Sequence, residues 1–165
     1  MQINPVVSRL ASASVYLFAI GVAIYAITAP YMKAENYNTV LDIYIDKACV
    51  DNKCENDKFF DMQSNALYAL YITFIILAGL CFIFLLTNQR KLYSWIGLLL
   101  LALSIGAMIY LIIAIKTSFI KIWWVVVNFE FTSASILMVI AFCFMIVKQL
   151  LSNDIIRGLV RKIIH

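Results

Sequence analysis

The chain has 165 residues, of which 64% are hydrophobic and only 13% are charged, and its mean hydropathy is +0.94. Soluble domains carry about 25% charged residues, so this chain has too few polar side chains to cover a water-facing surface and is predicted to be an integral membrane protein. The formal net charge of +4 is a sum over segments on both sides of a membrane, and it does not indicate nucleic-acid binding.

Four apolar runs reach the length of about 20 residues that a helix needs to cross a bilayer. They cover residues 10–29, 66–86, 95–115 and 122–147. The first run is longer than the core of a signal peptide and is followed by a poor cleavage site, so we interpret it as a retained helix. The sequence therefore predicts a single all-α membrane domain over residues 1–165, built as a bundle of four transmembrane helices.

The distribution of charge predicts which side of the membrane each segment faces. An even number of spans places both termini on one side of the membrane. That side has seven Lys and Arg residues and the opposite side has six, so the positive-inside rule gives only a small preference. The connection at residues 30–65 has four lysines and seven acidic residues, a net charge of −3. We therefore expect cytoplasmic (or matrix) termini and an outer loop at 30–65. A plasma membrane is favoured, and a mitochondrial inner or prokaryotic membrane is the alternative.

The outer loop contains a predicted β-strand over Thr39–Asp46. Leu41, Ile43 and Ile45 alternate with polar positions, which is the period-two pattern of a half-buried strand. We expect partner proteins to contact this loop through its apolar and aromatic side chains. These are Leu41, Ile43, Tyr44, Ile45, Phe59 and Phe60.

Two cysteines, Cys49 and Cys54, follow this strand. If Asp51 and Asn52 form a two-residue hairpin turn, Cys49 lies opposite Cys54, close enough for a disulfide that clasps the loop. A redox-active pair and two free thiols are the alternatives, and free thiols are favoured if the loop faces the cytosol. A zinc site needs four ligands, and the only histidine in the chain is His165, so neither a metal nor a cofactor is predicted.

One acidic residue, Glu130, occurs inside a predicted span, near its outer end. With Asn128 it forms a candidate intramembrane polar site, because ionisable groups in a membrane are costly and often functional. The alternatives are a carboxylate that reaches water or pairs with Lys116 or Lys121, and a contact between subunits. Small residues at four-residue spacing predict close helix packing. These pairs are Ala19 with Ala23 and Ala102 with Gly106.

The tail at residues 152–165 predicts a basic amphipathic helix with Ser152 as its N-cap. One half of the helical wheel is apolar, and the other carries Arg157, Arg161 and Lys162. A helix of this kind lies in the membrane interface, where anionic lipids attract its basic residues.

The layout of these elements resembles that of the claudin, peripheral-myelin-protein and calcium-channel-gamma (stargazin) group. In that group an aromatic-glycine-leucine-tryptophan stretch precedes two cysteines on neighbouring strands, and the corresponding segment here is "VLDIYIDKAC" followed by Cys54. The segments "KLYSWIGLLLLALSIG" and "FIKIWWVVVNFEF" are also similar in kind, although the loop contains neither Trp nor Gly. The resemblance implies a left-handed four-helix bundle capped by a small outer β-sheet, with a function in cell contacts or as an auxiliary subunit.

No motif in the sequence indicates an enzyme, since there is no Ser/His/Asp set, no Gly-rich phosphate loop and no pair of intramembrane carboxylates. The sequence predicts a non-enzymatic protein that contacts other membrane proteins, as a claudin-like adhesion protein or an auxiliary subunit of a channel or receptor. It is expected to belong to a larger complex or a homo-oligomer. The alternatives are an accessory subunit of a large respiratory or transport complex, and a small transporter or channel that uses Glu130.

Overall fold

Four long apolar helices form the body of the molecule in the computed structural model, which describes residues 5–36, 39–44, 48–50, 53–55, 61–122 and 128–164. The helices are α1 (Pro5–Thr28), α2 (Asp61–Leu86), α3 (Arg90–Ile122) and α4 (Ser133–Ser152). Each is long and apolar enough to cross a membrane. The predicted set of four apolar helices is confirmed, and it indicates a multi-pass integral membrane protein.

The third and fourth helices differ from the predicted boundaries. Helix α3 begins at Arg90 and continues to Ile122, beyond the predicted 95–115, and α4 begins only at Ser133. The predicted fourth span at 122–147 is wrong at its start, because residues 128–131 form a strand. An apolar run rich in β-branched and aromatic residues does not distinguish a helix from a strand by hydropathy alone.

The four helices surround one apolar core. Helix α1 packs against α2 and α4, and α3 also packs against α2 and α4. Aromatic rings fill the centre, where Phe74 and Phe142 meet edge to face with centroids 5.1 Å apart. The predicted small-residue pair Ala19 and Ala23 is completely buried and allows α1 to approach its neighbours closely. The second pair, Ala102 and Gly106, is exposed on the outer surface of α3.

A five-stranded antiparallel sheet lies at one end of the bundle, with its strands in the order β4-β3-β2-β1-β5. The connection between α1 and α2 supplies four strands, and the connection between α3 and α4 supplies the fifth. They are β1 (Met32–Asn36), β2 (Thr39–Ile43), β3 (Ala48–Val50), β4 (Lys53–Glu55) and β5 (Asn128–Phe131). Strand β1 has a weak strand sequence and is stabilised by its pairing with β2 on one side and β5 on the other.

Two features of the first connection match their predictions from the sequence. Strand β2 occupies most of the predicted strand and ends at Ile43, which is completely buried. In the β3–β4 pair Cys49 is the partner of Cys54, and Val50 is the partner of Lys53, which is the predicted register. The predicted turn residues Asp51 and Asn52 lie outside the described residues.

The bundle has two ends that differ in composition. The sheet end carries the five strands, whereas the termini end carries the start of α1, the turn between α2 and α3, and a short helix α5 (Asp154–Ile164). The predicted N-cap of the tail helix is wrong, because Ser152 is the last residue of α4. Asn153 caps α5 instead, with its Oδ1 accepting a hydrogen bond from the Ile155 amide at 3.0 Å.

Candidate functional site

Three hydrogen bonds hold together the end of the bundle at which the sheet lies. The Thr132 hydroxyl donates to the Pro30 carbonyl at 2.5 Å, and the Tyr31 amide donates to the Ile43 carbonyl at 2.8 Å. The hydroxyls of Tyr25 on α1 and Ser133 on α4 lie 3.2 Å apart. The Thr132–Pro30 and Tyr25–Ser133 contacts join residues 102 and 108 positions apart in the chain, whereas Tyr31 and Ile43 belong to the same connection. The sheet end is therefore held together by residues from both connections.

A row of charges crosses the centre of the sheet. Lys33 on β1 is the register partner of Asp42 on β2 and of Glu130 on β5. The Lys33 Nζ atom lies 3.7 Å from the Asp42 Oδ1 atom, which is buried and has no hydrogen-bond donor among the described residues. The charge of Lys33 therefore compensates the carboxylate of Asp42. Such a row of alternating charge favours this register over a shifted one.

The candidate polar site at Asn128 and Glu130 lies in this sheet and not in a membrane-spanning helix. Both residues belong to β5, which ends before α4 begins. The register partner of Asn128 is Glu35, and that of Glu130 is Lys33 rather than Lys116 or Lys121. The two residues are thus placed at the sheet end, outside the apolar segment Ser133–Ser152.

The predicted partner-contact residues divide into two groups. Ile43 is completely buried and Leu41 packs against the core, so these two side chains hold the sheet on the bundle and do not form an exposed contact surface. Tyr44 is half-buried. The others, Ile45, Phe59 and Phe60, lie outside the described residues. The structure adds Phe131, a 56% exposed aromatic residue on β5 that the sequence reading assigned to a transmembrane helix.

The cysteine pair lies near the other edge of the sheet. Cys49 is on β3 and is 4% exposed, and its register partner on β4 is Cys54. Directly opposite residues of an antiparallel pair have Cβ atoms about 4.5–5.5 Å apart. The backbone thus brings together the two cysteines that the sequence pairs. The remaining cysteines, Cys81 and Cys143, lie on α2 and α4 and are free.

A buried polar cluster occupies the termini end of the bundle. The Tyr16 hydroxyl lies 2.7 Å from that of Tyr93, and the Gln149 side-chain amide donates to Tyr16 at 2.8 Å. The Tyr93 hydroxyl also lies 2.9 Å from that of Ser152. These residues come from α1, α3 and α4. Polar groups that meet inside a membrane bundle hold the helices in one arrangement, each contact contributing about 0.6 kcal/mol on average.

Close packing of α3 against α4 brings Gly97 into this cluster. A Cβ atom at position 97 would overlap the side-chain oxygen of Gln149 and would lie 2.9 Å from the Asn153 Nδ2 atom. Asn153 donates from Nδ2 to the Ser94 carbonyl at 2.8 Å. One asparagine therefore caps α5 and also fixes the α4–α5 corner to the start of α3. The sequence contains no motif for this cluster, because its members are single residues on separate helices.

Helix α5 presents the amphipathic surface predicted for the tail. Ile155 and Ile156 are half-buried against the bundle, while Leu159 and Val160 are exposed. The guanidinium of Arg157 donates to the Leu151 carbonyl and so binds the last turn of α4. The two basic residues of the last turn, Arg161 and Lys162, are exposed.

The described residues define a class of protein rather than a reaction. Within this part of the chain no group of three His, Cys, Asp or Glu residues comes together to hold a metal ion. The fold is that of a four-helix membrane protein with a sheet at one end and a basic helix at the other. Comparison with protein-family models finds no matching model, and comparison with curated proteins finds no matching relative.

Proposed function

We propose that this protein is a non-enzymatic membrane protein that contacts partner proteins through its sheet, as a claudin-like adhesion protein or an auxiliary subunit of a channel or receptor. The observation that carries the proposal is the five-stranded sheet, to which both connections at one end of the bundle contribute. A sheet next to the hydrogen-bonded ends of α1 and α4 offers a surface for recognition. This role needs no active site.

The arrangement of the elements supports the claudin-like reading. Four apolar helices, a sheet built mainly on the first connection, and two cysteines on neighbouring strands are the layout that the family resemblance implies. Strands β4 and β5 are the edges of the described sheet, and β5 carries the exposed Phe131. Edge strands and exposed aromatic residues are common points of attachment for partner proteins.

A disulfide between Cys49 and Cys54 and an outward-facing sheet are part of this proposal. Their support is the register of β3 and β4, the burial of Cys49 and the negative charge of the first connection. The test is alkylation of both cysteines by a membrane-impermeant maleimide in intact cells, before and after reduction. We expect labelling from outside only after reduction. Labelling from the cytoplasmic side without reductant would contradict both the disulfide and the orientation.

The contact function is tested by replacing Phe131 with serine in cells that express the tagged protein. We expect the variant to insert normally and to lose at least half of the partner protein recovered after mild detergent extraction. Leu159→Ser is the matched control, because Leu159 is also an exposed apolar residue but lies at the termini end. Equal recovery with both variants would refute the sheet as the contact surface. Stoichiometric recovery of a respiratory or transport complex would favour an accessory subunit.

A further inference from the structure

A small cavity lies at the termini end of the bundle. Its volume is about 190 Å³, and it lies between the start of α1 and the turn that joins α2 to α3. Two arginines from different helices line it, together with two apolar residues, an asparagine and a tyrosine. They are Arg9, Arg90, Phe84, Leu85, Asn88 and Tyr93.

The cavity lies at the level where the apolar part of the bundle ends. Arg9 is the first residue of the membrane-spanning segment of α1, and Arg90 is the first residue of that of α3. In a membrane, both arginines would lie where the apolar part of the bundle meets the headgroup layer. Three exposed leucines are neighbours of the lining residues in the chain. These are Leu10, Leu86 and Leu92.

The electrostatics of the cavity favour an anion. Among the described residues neither Arg9 nor Arg90 has a carboxylate within ion-pair distance, and the only described acid at this end is Asp154 on α5. Helix α3 begins with Arg90 and Lys91 and has no acidic residue in its first turn. Cations at the start of a helix are repelled by its dipole, so an anion bound between them would relieve an unfavourable arrangement.

The geometry of the turn holds Arg90 at the rim of the cavity. Asn88 has a positive φ of 60°, a conformation that Asn tolerates better than most residues, and the Arg90 amide donates to the Asn88 carbonyl at 3.0 Å. Tyr93 also lines the cavity, and its hydroxyl contacts those of Tyr16 and Ser152. The backbone of Arg90 and the ring of Tyr93 are thus both held by hydrogen bonds.

We infer that this cavity binds the phosphate headgroup of an anionic phospholipid from the adjacent leaflet. Guanidinium groups donate paired hydrogen bonds to phosphate oxygens, and a dianionic phosphomonoester balances the charge of Arg9 and Arg90 together. Phe84 and Leu85 make part of the cavity lining apolar, and a free phosphate has no need of such a lining. The inference requires only that the bundle is in a membrane, so it does not depend on the contact function proposed for the sheet.

The test is native mass spectrometry of the purified full chain in detergent micelles, titrated with phosphatidic acid, phosphatidylglycerol or phosphatidylcholine. We expect one phosphatidic acid molecule to be retained most tightly, because it carries the phosphomonoester. Arg9→Gln and Arg90→Gln should each weaken its retention about tenfold or more, as expected for the loss of charge-assisted hydrogen bonds. Each Arg→Lys variant should lose part of this affinity, since lysine cannot form the paired contact.

Arg161→Gln and Lys162→Gln are the matched controls, because they remove the same charge from the same end but not from the cavity. Each control variant should weaken the retention of phosphatidic acid and of phosphatidylglycerol by the same factor, about fivefold at most. Equal effects of the cavity and control variants, or equal retention of the two anionic lipids, would overturn the proposal. Equally tight binding of soluble glycerol phosphate would overturn the assignment to a lipid. If Arg90→Gln lowers the yield of folded protein, Arg9→Gln alone provides the test.

Discussion

Single residues at the termini end determine how closely the helices pack. Gly97 allows the Gln149 side chain to cross from α4 onto the backbone of α3, where no other residue type would leave room for it. The side-chain oxygen of Gln149 is buried and has no hydrogen-bond donor among the described residues. It occupies the space that a Cβ atom at position 97 would fill.

Replacing Gly97 with alanine should destabilise the protein by about 1–3 kcal/mol, because the added methyl group overlaps the buried side chain of Gln149, whose amide nitrogen is hydrogen-bonded to Tyr16. Thermal unfolding in detergent micelles provides the measurement. Gly106→Ala on the same helix is the control, since nothing lies within 4 Å of the added Cβ there. It should be neutral or slightly stabilising, because alanine favours helix more than glycine does. Equal melting temperatures for the two variants would contradict the overlap at position 97.

At the scale of the elements, Asn153 links three helices. It ends α4, caps α5 through its Oδ1 atom and contacts α3 through its Nδ2 atom. The Arg157 side chain also binds the last turn of α4. The direction of α5 relative to the bundle is therefore set by two side chains at the corner, and its exposed face is available for the membrane interface.

Asn153→Ala should remove both contacts, cost about 1–2 kcal/mol of stability and release α5 from its fixed direction. Asn153→Asp keeps the capping oxygen but loses the donor to Ser94, so it should retain the helicity of α5 while loosening its attachment. Hydrogen exchange of the α5 amides and spin-label distances between α5 and α3 separate the two effects. If alanine changed neither, the corner would be held by the apolar contacts of Ile155 and Ile156.

At the scale of the whole molecule, the sheet joins segments that are far apart in the sequence. Strand β1 lies between β2 from its own connection and β5 from the connection of α3 to α4. Lys33 therefore has an acidic register partner on each side, Asp42 and Glu130. A partner that binds across β1 and β5 would contact both connections of the bundle at once.

Lys33→Gln should weaken the sheet by on the order of 1 kcal/mol, because the half-buried Asp42 carboxylate loses its compensating charge. Hydrogen exchange of the β1, β2 and β5 amides is the measurement. The double variant Lys33→Gln/Asp42→Asn should recover most of the protection, since it removes the charge that lacks a partner. Faster exchange in the double variant than in the single one would show that the ion pair does not hold these strands together.

The sequence by itself determined the features that depend on neighbouring residues. Hydropathy over about 20 residues identified the four apolar helices, and period-two alternation identified β2. A two-residue turn sets the register of a hairpin, so the pairing of Cys49 with Cys54 followed from the spacing alone. The amphipathic pattern of the tail likewise predicted α5, although its first residue is Asp154 rather than Ser152.

Only the tertiary structure decided the features that depend on distant residues. The sequence of β5 resembles the start of a transmembrane helix. Its pairing with β1 makes it a strand, and this pairing joins residues that are about 97 positions apart, such as Lys33 and Glu130. The contacts of Tyr16 with Tyr93 and Gln149 join residues 77 and 133 positions apart, and the cavity of Arg9 and Arg90 forms between the start of α1 and the turn that joins α2 to α3. Local sequence patterns carry no information about these contacts, because the residues are distant in the chain and only the packing of the helices brings them together.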